Sequence, residues 1–386
     1  MDRPWLRKYE PHVPASLAYP EKTLPQLLAQ SAARFPDRAA TIFFGARLSY
    51  RQLDALVDRC AAGLQRMGVR QGDRVAIMIP NSPQYVIAYY AILRSGAIAV
   101  PCNPLYVARE LEHQLRDSGA RSIFVLSRFY PVVKAAQAGA PLEHIIVTNI
   151  KEYFPPLLRL LFTLAKEKKE GDRVDTSRDP AAICMPRFLA QAPARPAPVE
   201  ASLGDTAVLL YTGGTTGVPK GAELTHRSIM VNAVQTKVWF NGQDGEETIM
   251  AALPLSHSYG MTTAMNCPVV LGATMVLIAN PRDIKDVVEN IRRHKPTAYP
   301  GVPTMYVAIN NYPGVAGYDL SSIRACISGG AALPVEVQKR FQEITHGHLV
   351  EGYGLSETSP VTHGNPVYGE NRIGTIGLPW PDTDAR

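Results

Sequence analysis

Paired cysteines, long apolar runs and dense basic tracts are all missing from this sequence. The five cysteines (Cys60, Cys102, Cys184, Cys267, Cys326) are odd in number, scattered and never spaced Cys-x-x-Cys. That spacing gives no zinc site and fits a reducing compartment. No apolar run approaches the roughly 20 residues a membrane-spanning helix needs. A net charge of +6 over 386 residues is modest. It suits an anionic substrate or a membrane surface, and nothing in it calls for nucleic acid. Residues 1–23 mix charges with four prolines and do not read as a signal peptide. No repeat with a period of about 20–50 residues is visible. What is present is 46% apolar and 19% charged, a folded chain with ample core and a length prior of about two or three domains. The expected location is cytoplasmic.

Local patterns supply the elements. Leu24–Phe35 has helical spacing and stops at Pro36. Ser49-Tyr50-Arg51-Gln52 has capping-box spacing, after which Leu53, Leu56, Val57, Cys60 and Leu64 share a helical face. Strands are expected at Arg74–Ile79, Ala97–Val100 and Ser122–Leu126, alternating with helices at Tyr85–Leu93 and Ala108–Asp117. A second alternating set runs from Arg227 to Val350, with a strand expected at Thr297–Tyr299. The expected fold class is α/β: two doubly wound, mainly parallel sheet subdomains in tandem, with ligands at strand C-terminal ends. The expected domains are 1–200, 201–370, and a short third stretch at 371–386.

Residues 151–200 break the rhythm, with an inserted amphipathic segment at about 151–175. If Phe154–Lys166 is helical, Phe154, Leu157, Leu158, Leu161 and Ala165 lie on one face, and Arg159, Thr163 and Lys166 lie opposite. Leu160 and Phe162 widen the apolar arc. Too short to span a bilayer, the segment suits either the membrane interface or a contact with a sheet or a second copy.

Four loops carry candidate chemistry. Tyr211–Gly221 follows the apolar run Ala207–Leu210 and holds four glycines, three threonines and Lys220. It reads either as a phosphate cradle or as a tight Gly-rich turn. It is not the common P-loop, because no Gly-Lys-Ser/Thr tripeptide opens a helix there. Ser328–Pro334 offers bare backbone against which a flat base could lie, and Glu351–Thr358 a stacking ring, a hydroxyl and a carboxylate. Leu253–Gly260 brings an imidazole, His257. Each has a bland reading alone, but all four fall at the C-terminal ends of expected strands.

In motif, order and separation, these loops resemble the adenylate-forming superfamily of acyl-CoA synthetases, luciferases and peptide-synthetase adenylation domains. Pro4-Trp5-Leu6 and the inserted Tyr153–Glu170 are most similar to long-chain fatty acid CoA ligases. The resemblance implies that Thr212, Gly213, Gly214, Thr215, Thr216, Gly217 and Lys220 bind pyrophosphate. It implies that Glu357 holds Mg²⁺ with Thr212 as second ligand, and that Ser356 bonds the α-phosphate. Gly329, Gly330, Ala331, Glu351, Gly352, Tyr353 and Gly354 are implied around the adenine. His257, Ser258 and Met261 are implied at the acyl pocket, and Lys220, His257 and Glu357 form the catalytic set.

The implied reaction joins a long-chain fatty acid to coenzyme A through an acyl-adenylate made from ATP. A carboxylate is ionised near neutral pH, so this needs charge neutralisation rather than a general base. The stretch Gly374–Pro379 resembles the start of the family's small β-barrel. The sequence is therefore read as the large N-terminal portion of a ligase, without the C-terminal domain that carries the ribose-binding Asp and a catalytic Lys. Little adenylation is expected of it alone. The alternatives are another acyl or aryl acid–CoA ligase, or a non-catalytic fatty-acid- or nucleotide-binding fragment. An amino-acid-activating domain fits less well, since Ser256-His257-Ser258 lacks the aspartate that class uses for the substrate amine. Peripheral contact at the inner membrane surface through 151–170, and a homodimer, complete the expected partners.

Overall fold

A computed structural model describes residues 3–212 and 219–385. The chain forms two compact units. One comprises Thr23–Asp37 and Thr41–His226, the other Met1–Lys22, Arg38–Ala40 and Arg227–Arg386. The division therefore follows His226, where the sequence reading places it after residue 200.

In the Thr41–His226 unit a seven-stranded sheet runs in the order Ala182–Cys184, His144–Thr148, Ser122–Leu126, Arg74–Met78, Ile98–Pro101, Thr206–Thr212, Lys220–Thr225. Every pair is parallel except the last, which is antiparallel. Ser122–Leu126 is buried along its whole length, as expected of a parallel strand covered on both faces. Helix Tyr50–Arg66 begins as its sequence indicates. The Gln52 amide donates to Ser49 Oγ at 3.2 Å, and Gln52 Oε1 accepts from the Ser49 amide at 2.9 Å. Arg94 ties helix Pro83–Arg94 to it through Asp54 and Asp58, at 2.6 and 2.7 Å.

The Arg227–Arg386 unit is built on a second parallel set. Thr274–Leu277 pairs with Thr248–Ala251, which is bridged through Ala298 to Ala325–Ser328, which in turn pairs with His348–Gly354. Val361–Gly364 and Leu378–Pro379 then extend the sheet antiparallel. The stretch that resembles the start of a barrel is thus sheet-paired, and no barrel closes among the described residues. Trp239 and Trp380 stack at 5.5 Å in its core. The N-terminal lead-in is held to this unit: Tyr9 donates to the Pro379 carbonyl at 2.5 Å, and Glu10 accepts from the Val367 and Tyr368 amides.

One sequence expectation differs in detail. Thr297–Tyr299 contributes bridge residues rather than a full strand. Helix Pro156–Ala165 buries Phe162, leaving Leu157 and Leu161 exposed. Its rotation is fixed by an aromatic cluster, with the Phe154 ring 5.4 Å from Phe162 and 4.7 Å from Phe44. No helix among the described residues is long and apolar enough to cross a membrane.

Candidate functional site

Each unit carries its own share of the expected residues. In the Thr41–His226 unit, Thr212 and Lys220 are directly opposed across the antiparallel pair, at the end of the hairpin where the loop leaves and returns. Opposed residues of such a pair project from the same face, so a hydroxyl and an ammonium flank one opening. Lys220 is exposed and has no ion-pair partner among the described residues. Below them Tyr211 donates to Asp117 at 2.6 Å. A Cβ on Gly221 would stand 3.1 Å from the Tyr211 ring, so the glycine seats the tyrosine. Gly213, Gly214, Thr215, Thr216 and Gly217 lie outside the described residues.

In the Arg227–Arg386 unit, the parallel strands end together. Ala251 leads to the His257 loop, Ser328 to Gly329 and Gly330, and the Glu351-containing strand to the turn Ser356–Thr358. Strand C-terminal ends are where open α/β sheets bind ligands. His257 caps the short helix Ser258–Met261, its Nδ1 accepting from the Tyr259 amide at 3.3 Å. One side of the ring stays open to solvent, while desolvation by the atoms packed behind it lowers the imidazole pKa from 6.5. At pH 7 it is a neutral hydrogen-bonding group.

Tyr259, buried beside it, donates to the Ile327 carbonyl at 2.5 Å, and its ring would lie 3.1 Å from a Cβ on Gly329. Gly330 has φ +80°, a conformation that favours glycine. Ala331 is exposed next to it.

Glu351 to Glu357 form a graded series. Burial raises the Glu351 carboxyl pKa above 4.5, opposed by a hydrogen bond from the Leu333 amide. A Cβ on Gly352 would meet Ile327 at 2.8 Å, and one on Gly354 would meet the Pro360 carbonyl at 2.1 Å. Both glycines are therefore demanded by close packing, whatever they bind. Tyr353 is exposed, its ring 6.2 Å from that of His363 and edge-on to it. Ser356 accepts from Ser258 Oγ at 3.4 Å. Glu357 is exposed with no hydrogen-bond or ion-pair partner among the described residues. Among the described residues no cluster of three metal-ligating side chains exists. One carboxylate and the oxygens of a bound polyphosphate are the hard donor set that suits Mg²⁺.

Sequence reasoning missed two features. Ser328 is wholly buried and its hydroxyl has no partner. Its position before two glycines was the available signal. The second is a narrow apolar cavity lined by Thr236, Phe240, Ile249, Thr263, Pro300 and Ile327. Thr263 belongs to a π-helical turn, Thr262–Asn266, which widens the helix and re-aims its side chains. Met261, two residues earlier, is buried but is not among the lining residues.

Residues 28–386 match the family of AMP-binding enzymes. The chain is 43% identical to a long-chain-fatty-acid–CoA ligase of Bacillus subtilis (strain 168), over 99% of this chain and 68% of the relative. It is 38% identical to a long-chain-fatty-acid–CoA ligase of Yersinia pestis, over 100% and 69%. Among solved structures, a long-chain-fatty-acid-CoA ligase from Archaeoglobus fulgidus superposes with a TM-score of 0.81 at 26% identity, covering 97% of this chain and 72% of that one. This chain belongs to the AMP-binding, adenylate-forming enzyme family. Across its whole length its relatives are AMP-forming acid–thiol ligases acting in fatty acid metabolism, and ATP use follows from the family.

Proposed function

We propose that this chain carries the fatty-acid and ATP sites of an enzyme that activates a long-chain fatty acid with ATP and Mg²⁺ and transfers it to coenzyme A. In the first step a carboxylate oxygen attacks the α-phosphorus of ATP, and the bond to pyrophosphate breaks. In the second the coenzyme A thiol, losing its proton, attacks the acyl carbon, and AMP leaves. The observation that carries this reading is the apolar cavity lined by Ile249, Ala298, Ala325 and Ile327, which belong to the same sheet whose strand ends lead to Ser328–Ala331 and the other expected motifs. An acyl chain in that cavity points its carboxylate toward the strand ends that carry the nucleotide motifs.

Within the Arg227–Arg386 unit, Gly329, Gly330, Ala331, Gly352, Tyr353 and Gly354 are assigned to the adenine with Glu351, Ser356 to the α-phosphate, and Glu357 to Mg²⁺. His257, with Ser258 and Met261 beside it, is assigned to the carboxylate end of the acyl pocket. Within the other unit, the loop Thr212–Gly217 and Lys220 are assigned to pyrophosphate, and Thr212 also to the metal. Bound Mg²⁺ would neutralise phosphate charge as the attacking anion approaches.

A cytoplasmic location goes with this reading. So does contact of residues 151–170 either with a membrane surface, where long-chain fatty acids partition, or with a second copy in a homodimer. Calorimetric titration with Mg·ATP and with palmitate tests the substrate assignment. Binding of both is expected. Binding of benzoate in place of palmitate would move the reading to an aryl acid–CoA ligase.

A further inference from the structure

Helix Pro156–Ala165 presents an unusual outer surface. Leu157, Leu160, Leu161 and Leu164 are 69%, 55%, 53% and 77% exposed. Their spacing of three, four and seven residues makes one continuous helical stripe. The opposite side is occupied by Phe162, locked against Phe154. The leucines are therefore turned outward by the packing of the other face. A soluble surface gains nothing from four exposed leucines in a row.

The charges around the stripe are sorted as well. Each acidic residue from 152 to 172 is engaged by the protein itself. Glu152 accepts from Thr148 Oγ1 at 2.6 Å and from the Asn149 amide at 2.9 Å. Glu167 pairs with Lys151 at 2.7 Å. Glu170 pairs with Arg128 at 2.8 Å, and Asp172 with the same guanidinium. By contrast Lys166, Lys168, Lys169 and Arg173 are exposed with no ion-pair partner among the described residues. Arg159 is exposed on the helix itself, where its stem can lie along the leucines with the head group in water.

We propose that this helix is a lipid-docking face, which lays its leucine stripe into the acyl boundary of an anionic membrane while the surrounding lysines and arginines meet the head groups. A ten-residue helix is about 15 Å long, half the roughly 30 Å of a bilayer core, so it lies in the interface rather than across it. Charge decides against a second copy as the occupant. Two such faces brought together would oppose their unpaired cations, whereas an anionic leaflet neutralises them. This inference commits to one of the two occupants proposed above for residues 151–170. It rests on the exposed segment and not on the assigned chemistry.

The test is co-sedimentation of the whole chain with phosphatidylcholine vesicles, with and without phosphatidylglycerol, alongside analytical ultracentrifugation without lipid. Stronger binding to the phosphatidylglycerol vesicles is expected. A Leu160→Asp/Leu164→Asp variant should lose binding by about tenfold or more, with unchanged Mg·ATP affinity. A Lys168→Glu/Lys169→Glu variant should lose about tenfold at low salt and much less at high salt. Because Lys168 and Lys169 lie outside the helix and are exposed, that variant carries the test even if the leucine variant fails to fold. Equal vesicle binding by the parent and both variants would overturn the proposal. So would a lipid-free dimer that the leucine variant dissociates, with no vesicle binding by the parent. Loss of ATP binding in every form, with vesicle binding intact, would count against the ligase reading alone.

Discussion

Ser258 and Ser356 meet hydroxyl to hydroxyl at 3.4 Å, joining the loop that carries His257 to the turn that carries Glu357. Ser258 is buried and Ser356 half-buried, so the first fixes the rotor of the second while leaving it able to meet a ligand. A hydrogen bond to a charged oxygen is worth about 1.5–3 kcal/mol, a neutral one about 0.5–1.5. Ser356→Ala should therefore weaken Mg·ATP binding by roughly 10–100-fold, and Ser258→Ala by only about 3–10-fold. Calorimetric titration of both variants checks the order. Equal losses, or none in Ser356→Ala, would remove Ser356 from the phosphate site.

Glu357 has the opposite profile, an exposed carboxylate with no partner among the described residues. Such a residue contributes little to the fold, so Glu357→Gln should change unfolding free energy by no more than about 0.5 kcal/mol. What it should remove is the dependence of ATP affinity on Mg²⁺, because a neutral amide is a poor ligand for a hard cation. The measurement is the ratio of ATP dissociation constants with and without Mg²⁺. A ratio unchanged from the parent would sink the metal assignment.

Much of this was legible where the cause is local. The Ser49–Gln52 cap lies within four residues, and Ser122–Leu126 is apolar without a break. Strand Lys220–Thr225 was not legible: it has no apolar run and exists through its pairing with Thr206–Thr212. The helical run from Ser258 to Leu271 is interrupted in sequence by Gly260, two threonines and Pro268. Burial and internal hydrogen bonds, such as Thr263 Oγ1 to the Tyr259 carbonyl at 2.6 Å, override those weak propensities. Helix Pro156–Ala165 is apolar on two sides, so periodicity alone could not choose which faces inward. The distant Phe44 helped to decide it. The roles of Gly352 and Gly354 in packing were equally invisible, because Ile327 and Pro360 reach them only in the fold.

That packing makes the glycines proposed for the adenine site separable by experiment. A Cβ at position 354 would stand 2.1 Å from the Pro360 carbonyl oxygen, and both partners are backbone. The hydrogen bond from the Leu355 amide to that same oxygen, at 3.0 Å, would have to move with it. Gly354→Ala should cost about 2 kcal/mol or more, at the level of overpacking. Gly330 differs: its φ is +80° but a Cβ there would find Val302 at an ordinary 3.5 Å. Gly330→Ala should then cost only about 1 kcal/mol, from backbone conformation. Urea unfolding of the two variants checks the ranking. The reverse order would mean that steric crowding at Gly354 is relieved more easily than this geometry allows.

His226 gives the chain a pH dependence of its own. The ring is buried, Nδ1 accepts from the Leu24 amide at 3.4 Å, and burial pushes the pKa down from 6.5 to about 4, against the smaller upward pull of Asp205. The folded state therefore resists a proton that the unfolded chain accepts. This contribution to stability is fully present above the unfolded pKa of 6.5. It is lost progressively as pH falls toward 4, since only the unfolded state gains a proton across that window. Integrated from about pH 7.5 to pH 5, the loss is about 2 kcal/mol. His226→Gln, which cannot titrate, should start less stable at neutral pH but decline less steeply, the two curves converging by about 2 kcal/mol at the acid end. Denaturant unfolding at the two pH values measures this. Parallel curves would show that His226 is protonated equally in both states, contrary to its burial.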